Sequence, residues 1–296
     1  MNDIKRVEEF LNLMKKVATE NVINKIIVYN NLVYPNKDKE SIEELFPIWI
    51  KEFKDNQNIE VYIPEKWNDF CQFRSKQKDN FQNNKIKIYI AIDKAHIEES
   101  VKKIFHYLTK INAIHVSKVA KNIRYDNIVI RVNNMNTVKK ILKFINSDSY
   151  IKDGIINTNP FAFHDEFISY TWDGDLSYNM VISTYIANYI NTLKNNNNLN
   201  QVSYNSFISY LKDIYQEVFI DENNIDAYKV MMDIEDYNIP DEEVKEKLLN
   251  YKFITRIFLK ALMPDKKIND FYEEYQRVLT HKNSQKKYPY HIFHKK

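Results

Sequence analysis

At 296 residues, with 44% hydrophobic and 14% aromatic content, the chain has enough apolar matter to bury a core as one large domain or two, and it is not composed like a disordered segment. Its 43 basic and 40 acidic residues are interspersed and leave a net charge of +3, which argues against a nucleic-acid partner. Only two glycines occur, Gly154 and Gly174, and they are not within one loop. A P-loop, a dinucleotide fingerprint and a kinase glycine loop are therefore excluded, and any phosphate chemistry must use side-chain cations.

Cys71 is the only cysteine, so an internal disulfide is excluded. No apolar run reaches bilayer length, and the opening Met1-Asn-Asp-Ile-Lys-Arg6 has no apolar signal core. A cytoplasmic location without membrane attachment is the expectation.

In chain order, Ile4, Val7, Phe10, Leu11, Met14 and Val17 recur at helical spacing over residues 3–18. Residues 26–34 read equally as a strand or a buried helix. Residues 41–54 form a helix through Leu45, Phe46, Trp49 and Phe53, with Pro47 bending its first turn. Ile59 to Ile63 alternates as a strand. The segment Lys85 to Ile92 sets Lys87 and Tyr89 on one face of a strand and Ile86, Ile88 and Ile90 on the other. Asp93 then caps a helix over 95–110. Ala113 to Ala120 is a second strand, with Lys118 on the face opposite His115 and Ser117. Arg124-Tyr-Asp126 leads into a third, Ile128-Val-Ile130.

A short helix follows over 138–145, then a hairpin over 160–172 turning near His164-Asp165-Glu166, then a helix over 177–193 capped by Asp175 or Ser177. Beyond residue 203 every periodic segment is helical: 204–219, 225–233, 241–250, 251–262 and 267–281. The fold class expected is α+β: a mixed or antiparallel sheet body with covering helices over 1–200, and an all-helical region over 201–296.

Lys87, Tyr89, Leu108, Asn112, Lys118, Val119, Arg124, Asp126, Val129 and Ile130, with Asn159-Pro-Phe161 and Asp173 to Tyr178, follow an order and spacing that resembles the HopA-type family of type III secretion effectors. Its relatives are the LanY lyases of class V lanthipeptide biosynthesis, which share chemistry with phosphothreonine lyases. The likeness covers residues 25 to 195. It implies a cofactor-free carbon–oxygen lyase that removes phosphate from phosphoserine or phosphothreonine in a precursor peptide, leaving a dehydroamino acid, with a separate kinase supplying the phosphate.

On that resemblance Lys118 is the general base and Tyr89 the proton donor, while Lys87, Arg124 and Asp126 hold or orient the phosphate. On pattern alone Lys118 also reads as a solvated lysine at a strand edge, and Tyr89 as a half-buried strand aromatic. The sequence departs from the family in one place: Ser177 to Thr184 carries no arginine where the family has a second phosphate clamp. Arg131 shares its register with Val129 and is not expected to substitute. The competing expectation is a peptide- or protein-binding scaffold that has kept the cationic cleft and lost the chemistry. His96 with Glu99, and His164 with its acidic neighbours, read as surface pairings rather than metal ligands. The tail from Lys286 mixes cations with aromatics and reads as docking onto the body.

Overall fold

The computed structural model describes residues 3–34, 39–66, 68–77, 85–173, 177–220, 254–264 and 267–287. Seven strands form one antiparallel sheet: β1 (Ile59–Tyr62), β2 (Phe70–Ser75), β3 (Lys85–Ile90), β4 (His115–Ala120), β5 (Ile128–Val132), β6 (Phe163–Asp165) and β7 (Ile168–Asp173). Their order is β1-β2-β4-β5-β3-β7-β6, so the basic strand β3 lies inside the sheet between β5 and β7. The α+β class is as expected, and the sheet is antiparallel throughout.

The helices are α1 (Asp3–Glu20), α2 (Lys25–Val33), α3 (Phe46–Glu52), α4 (Ile97–Lys110), α5 (Met135–Ser147), α6 (Ser149–Gly154), α7 (Tyr178–Asn195), α8 (Tyr204–Ile220), α9 (residues 254–261) and α10 (Ile268–Lys287). The open reading of 26–34 resolves as helix, because the Asn24 side chain accepts from the N–H groups of Ile26 and Ile27 and starts a helical turn. Pro47 sits in the first turn of α3, where its missing N–H costs nothing, after a 3₁₀ turn over Glu43–Leu45. Helix α4 begins at Ile97 with His96 at its N-cap, so the cap expected at Asp93 falls four residues ahead of the helix; the Asp93 carboxylate accepts from the His96 N–H at 2.9 Å in the turn leading in. The hairpin turn falls at Glu166, which takes a left-handed φ of 52°. Strand β2 was not anticipated, although Cys71 and Phe73 alternate with Gln72 and Arg74. The expected helices at 225–233 and 241–250, Asp175, and most of the C-terminal tail lie outside the described residues.

One sheet face carries Ile86, Ile88, Ile90, Ile128, Ile130 and Phe73, all fully buried. Phe105 of α4 stacks on Phe73 with ring centres 3.9 Å apart, and Trp49 of α3 anchors to the Glu98 carbonyl at 3.2 Å. His115 lies under this cover, bonded to Ser117 at 2.9 Å, and burial lowers its pKa to about 4. It is a neutral core histidine, remote from the opposite face.

That opposite face is roofed over β3 and β7 by a helical layer in which α7 packs against α1, α2 and α8. The C-terminal helices pack on both sides of the sheet: Phe258 of α9 joins the α7 layer against Phe161, Tyr178, Tyr185 and Phe207, while Phe271 of α10 meets Phe163 and Tyr170 on the Ile88 side. One continuous apolar cluster runs from Val7 to Tyr275.

Candidate functional site

Residues paired across an antiparallel ladder project to the same side. Register therefore builds two rows on the roofed face. The first runs Gln72, Lys118, Val129, Tyr89, Ser169; the second runs Arg74, Val116, Arg131, Lys87, Thr171. Lys87 and Tyr89 share this face as the sequence reading expected, and the β4–β5–β3 register adds Lys118 to it. Arg131 shares it too, which corrects the sequence reading: facing with Val129 means facing with Lys118 and Tyr89, so Arg131 belongs to the cation set.

The rows pass from cover to opening. Lys87 and Tyr89 are 4% and 2% exposed beneath the roof, whereas Lys118 and Arg131 are half-buried and Arg74 is exposed. Exposure of this cationic face thus rises from β3 toward β2, and Lys118 stands about 10 Å from Tyr89 across two strand spacings. The Lys118 ammonium lies 3.8 Å from the centre of the Phe70 ring, and the Arg124 guanidinium lies 5.9 Å from the same ring. Burial, reinforced by Arg131, Lys87 and Arg124 and partly offset by Asp126, pulls the pKa of Lys118 down to about 7. A lysine in that state exchanges a proton near neutral pH.

Arg124 and Asp126 come from the β4–β5 connection. Arg124 is 7% exposed and pairs with Asp126 through Nε, and its Nη2 donates to the Tyr29 hydroxyl at 2.9 Å. Burial works against the Arg124 charge, but Asp126 outweighs it and holds the guanidinium charged. The same neighbourhood raises the Tyr29 pKa, through burial first and Asp126 next.

The pair is held in turn by a chain of amides. Asn179 in the first turn of α7 donates to Asp126 at 2.9 Å. Asn159 donates to Asn179 at 2.8 Å, and the Asn159 oxygen accepts from the Phe161 N–H at 2.9 Å. This chain is the physical content of the Asn159-Pro-Phe161 motif: it ties the loop before the hairpin to the Arg-x-Asp turn. Asn179 and Tyr29 were not found from sequence, because nothing local to them signals a contact made across 53 and 95 residues.

Where the family's second arginine was sought, Ile182 is fully buried in the core, so a cation there would be a buried charge without a partner. His96 bonds Asp93 at 2.8 Å rather than Glu99. Among the described residues, no group of three His, Cys, Asp or Glu side chains is placed to hold a metal ion. No described helix is long and apolar enough to cross a membrane.

Beside the cleft, a cavity of about 650 Å³ lies between α1, α2 and residues 157–160. Tyr34 lines it and also stands 5.5 Å from the Arg124 guanidinium.

The fold is similar to that of the effector protein from Pseudomonas syringae pv. syringae strain 61, at 12% identity and a TM-score of 0.52, covering 72% of this chain and 94% of that one. The effector protein from Pseudomonas syringae pv. tomato strain DC3000 aligns over 69% of this chain and 92% of its own, at 14% identity and a TM-score of 0.45. Neither a protein-family model nor a curated protein sequence matches the chain. At 12% identity the likeness to the strain 61 protein concerns the α+β fold alone.

Proposed function

We propose that the protein is a carbon–oxygen lyase acting on phosphoserine or phosphothreonine in a peptide, of the phosphothreonine-lyase type, placed in lanthipeptide-like biosynthesis downstream of a separate kinase. The observation that carries the reading is Lys118, an amine with a pKa of about 7 on a sheet face that also bears Lys87 and Arg131, with Arg124 beside it.

The neutral Lys118 amine takes the Cα proton of the phosphoresidue. That C–H electron pair forms the Cα–Cβ double bond, and the Cβ–O bond breaks toward the phosphate. Tyr89 gives its phenolic proton to the departing oxygen, and proton exchange with solvent returns Lys118 and Tyr89 to their starting states. The products are a dehydroamino acid and inorganic phosphate, so no cofactor is called for. Lys87, Arg131 and the donors of Arg124 left over from Asp126 and Tyr29 face the charge that grows on the leaving group. Arg131 takes the clamping role left open by the missing helix arginine.

A second reading, a phosphopeptide-binding scaffold without chemistry, draws support from the depth of Tyr89 and from the engagement of Arg124 by Asp126 and Tyr29.

The deciding experiment incubates wild type and Lys118→Ala with a phosphoserine peptide and follows its mass. Loss of the mass of phosphoric acid with wild type, abolished in Lys118→Ala while the peptide still binds, is expected. Binding of the phosphopeptide without any mass change would move the assignment to the scaffold. Equal affinity for phosphorylated and plain peptides, unaffected by Arg131→Ala, would remove both readings.

A further inference from the structure

We propose that the cavity between α1, α2 and residues 157–160 is the subsite for the peptide flanking the phosphoresidue, and that it takes an extended segment bearing a large apolar side chain. This inference rests on the phosphopeptide reading above and deepens it.

The cavity and the cation cleft are chemically unlike and share one wall. On the cleft side Lys87, Lys118 and Arg131 come from β3, β4 and β5, and Arg124 comes from the β4–β5 connection, where it is paired with Asp126. On the cavity side Arg6 and Lys39 are set against Glu9, and Phe10, Leu13, Leu32 and Pro160 supply an apolar floor. Arg6 is already drawn onto the Thr158 carbonyl, and the Lys39 ammonium sits 4.6 Å from the centre of the Tyr34 ring. Both cations are thus already engaged, Arg6 by a backbone carbonyl and Lys39 by an aromatic face.

The polar groups present suit a peptide backbone. Asn30 is exposed and Asn31 half-buried at the rim, and an amide side chain both donates to a carbonyl and accepts from an N–H. Asn31 donates to the Ile27 carbonyl at 2.8 Å, which fixes the orientation of its amide.

The volume of about 650 Å³ lies within the range of small-ligand sites and exceeds what a single side chain fills. Tyr34 spans the partition, 5.5 Å from Arg124 on the cleft side. An extended chain advances about 3.3 Å per residue, so a peptide anchored by phosphate reaches the cavity within about two to four residues. A phosphate anchor beside a nearly neutral apolar trough selects for a phosphorylated residue near a greasy one, on top of charge recognition.

The test uses nine-residue peptides with a fixed central phosphoserine and randomised flanks, with N-acetyl phosphoserine N-methylamide as the minimal probe. Leu13→Trp fills the cavity from a position 43% exposed, so it leaves the core intact, and Asn30→Ala removes a rim amide. Wild type is expected to enrich an aliphatic or aromatic residue two to four positions from the phosphoserine. Leu13→Trp is expected to weaken the selected peptide by about tenfold or more while leaving the minimal probe unchanged. Asn30→Ala is expected to move affinity the same way by a smaller factor.

Absence of enrichment, or enrichment that persists in Leu13→Trp, overturns the subsite. So does a nucleoside monophosphate that displaces the selected peptide and itself depends on Leu13. Elimination with no flanking preference leaves the lyase standing without the subsite. An unphosphorylated library that shows the same apolar selection and Leu13 dependence keeps the subsite and removes the phosphate reading.

Discussion

At the scale of single residues, the chemistry turns on the proton state of Lys118. Its free amine exists above its pKa, so elimination is expected to rise as pH climbs through about 7 and then level off; a pH–rate profile measures this. Lys118→Ala is expected to lower the rate by about 10²–10⁴-fold, the usual scale for removing a general base.

Linkage supplies an independent check. Because the folded pKa lies below the unfolded value, the unfolded chain binds more protons between about pH 7 and the ordinary lysine range. Stability contributed at this site therefore increases as pH rises across that window. Lys118→Met is expected to be more stable than wild type near pH 6, with the gap narrowing by pH 9, as read by denaturant unfolding. A gap that stays constant with pH would mean the amine is solvated.

Asp126 obeys the opposite logic. It is the buried partner of a buried guanidinium, so Asp126→Asn leaves Arg124 charged and uncompensated. A loss of about 3–5 kcal/mol is expected from urea unfolding.

At the scale of elements, the site is a property of antiparallel register. Strands β4 and β5 follow each other in the chain and pair directly, but β3, which precedes both, pairs on the far side of β5, and this ladder sets Lys118, Val129 and Tyr89 in one row and Arg131 beside Lys87 in the next. A one-residue slip in β5 would turn Arg131 toward the apolar face. This makes Arg131 testable in two ways. It is the nearby charge that most depresses Lys118, so Arg131→Ala is expected to raise the midpoint of the pH–rate profile. It is also expected to narrow the affinity gap between phosphorylated and plain peptides, each charge-assisted hydrogen bond being worth about 1.5–3 kcal/mol. An unmoved midpoint would place the Arg131 head away from the cleft.

The Asn159–Asn179–Asp126 chain is a second product of assembly, since it joins a loop, a helix start and a turn that are separate in sequence.

At the scale of the whole molecule, the C-terminal helices complete the core that the sheet begins. Phe258 is fully buried among aromatic rings from α7, α8 and the Asn159-Pro-Phe161 segment. Phe258→Ala is expected to cost about 3–5 kcal/mol and to lower a single cooperative melting transition. Two separate transitions, with only the smaller one shifted, would show that residues 201–296 fold apart from the body. Ending the chain near residue 200 would uncover Phe161, Tyr185 and Tyr189, and the shortened protein is expected to aggregate.

Much of this architecture was legible before the structure. Period-2 alternation marked β1, β3 and β4 and the two faces of β3, and 3.6-residue periodicity marked α1, α4 and α7, because burial imposes those spacings on any strand or helix with one wet side. Residues 26–34 stayed ambiguous because a short apolar run satisfies either period. Strand β2 was missed because its six residues alternate without an aliphatic run.

The amino-acid sequence by itself thus determined the α+β class, the exclusion of glycine-loop phosphate binding, and the shared face of Lys87 and Tyr89. Strand order, the recruitment of Arg131, the Asn179 and Tyr29 contacts to the Arg124–Asp126 pair, and the depressed pKa of Lys118 were decided by tertiary structure alone. All of these depend on which distant segments lie side by side and on how much water they exclude, and local sequence encodes neither.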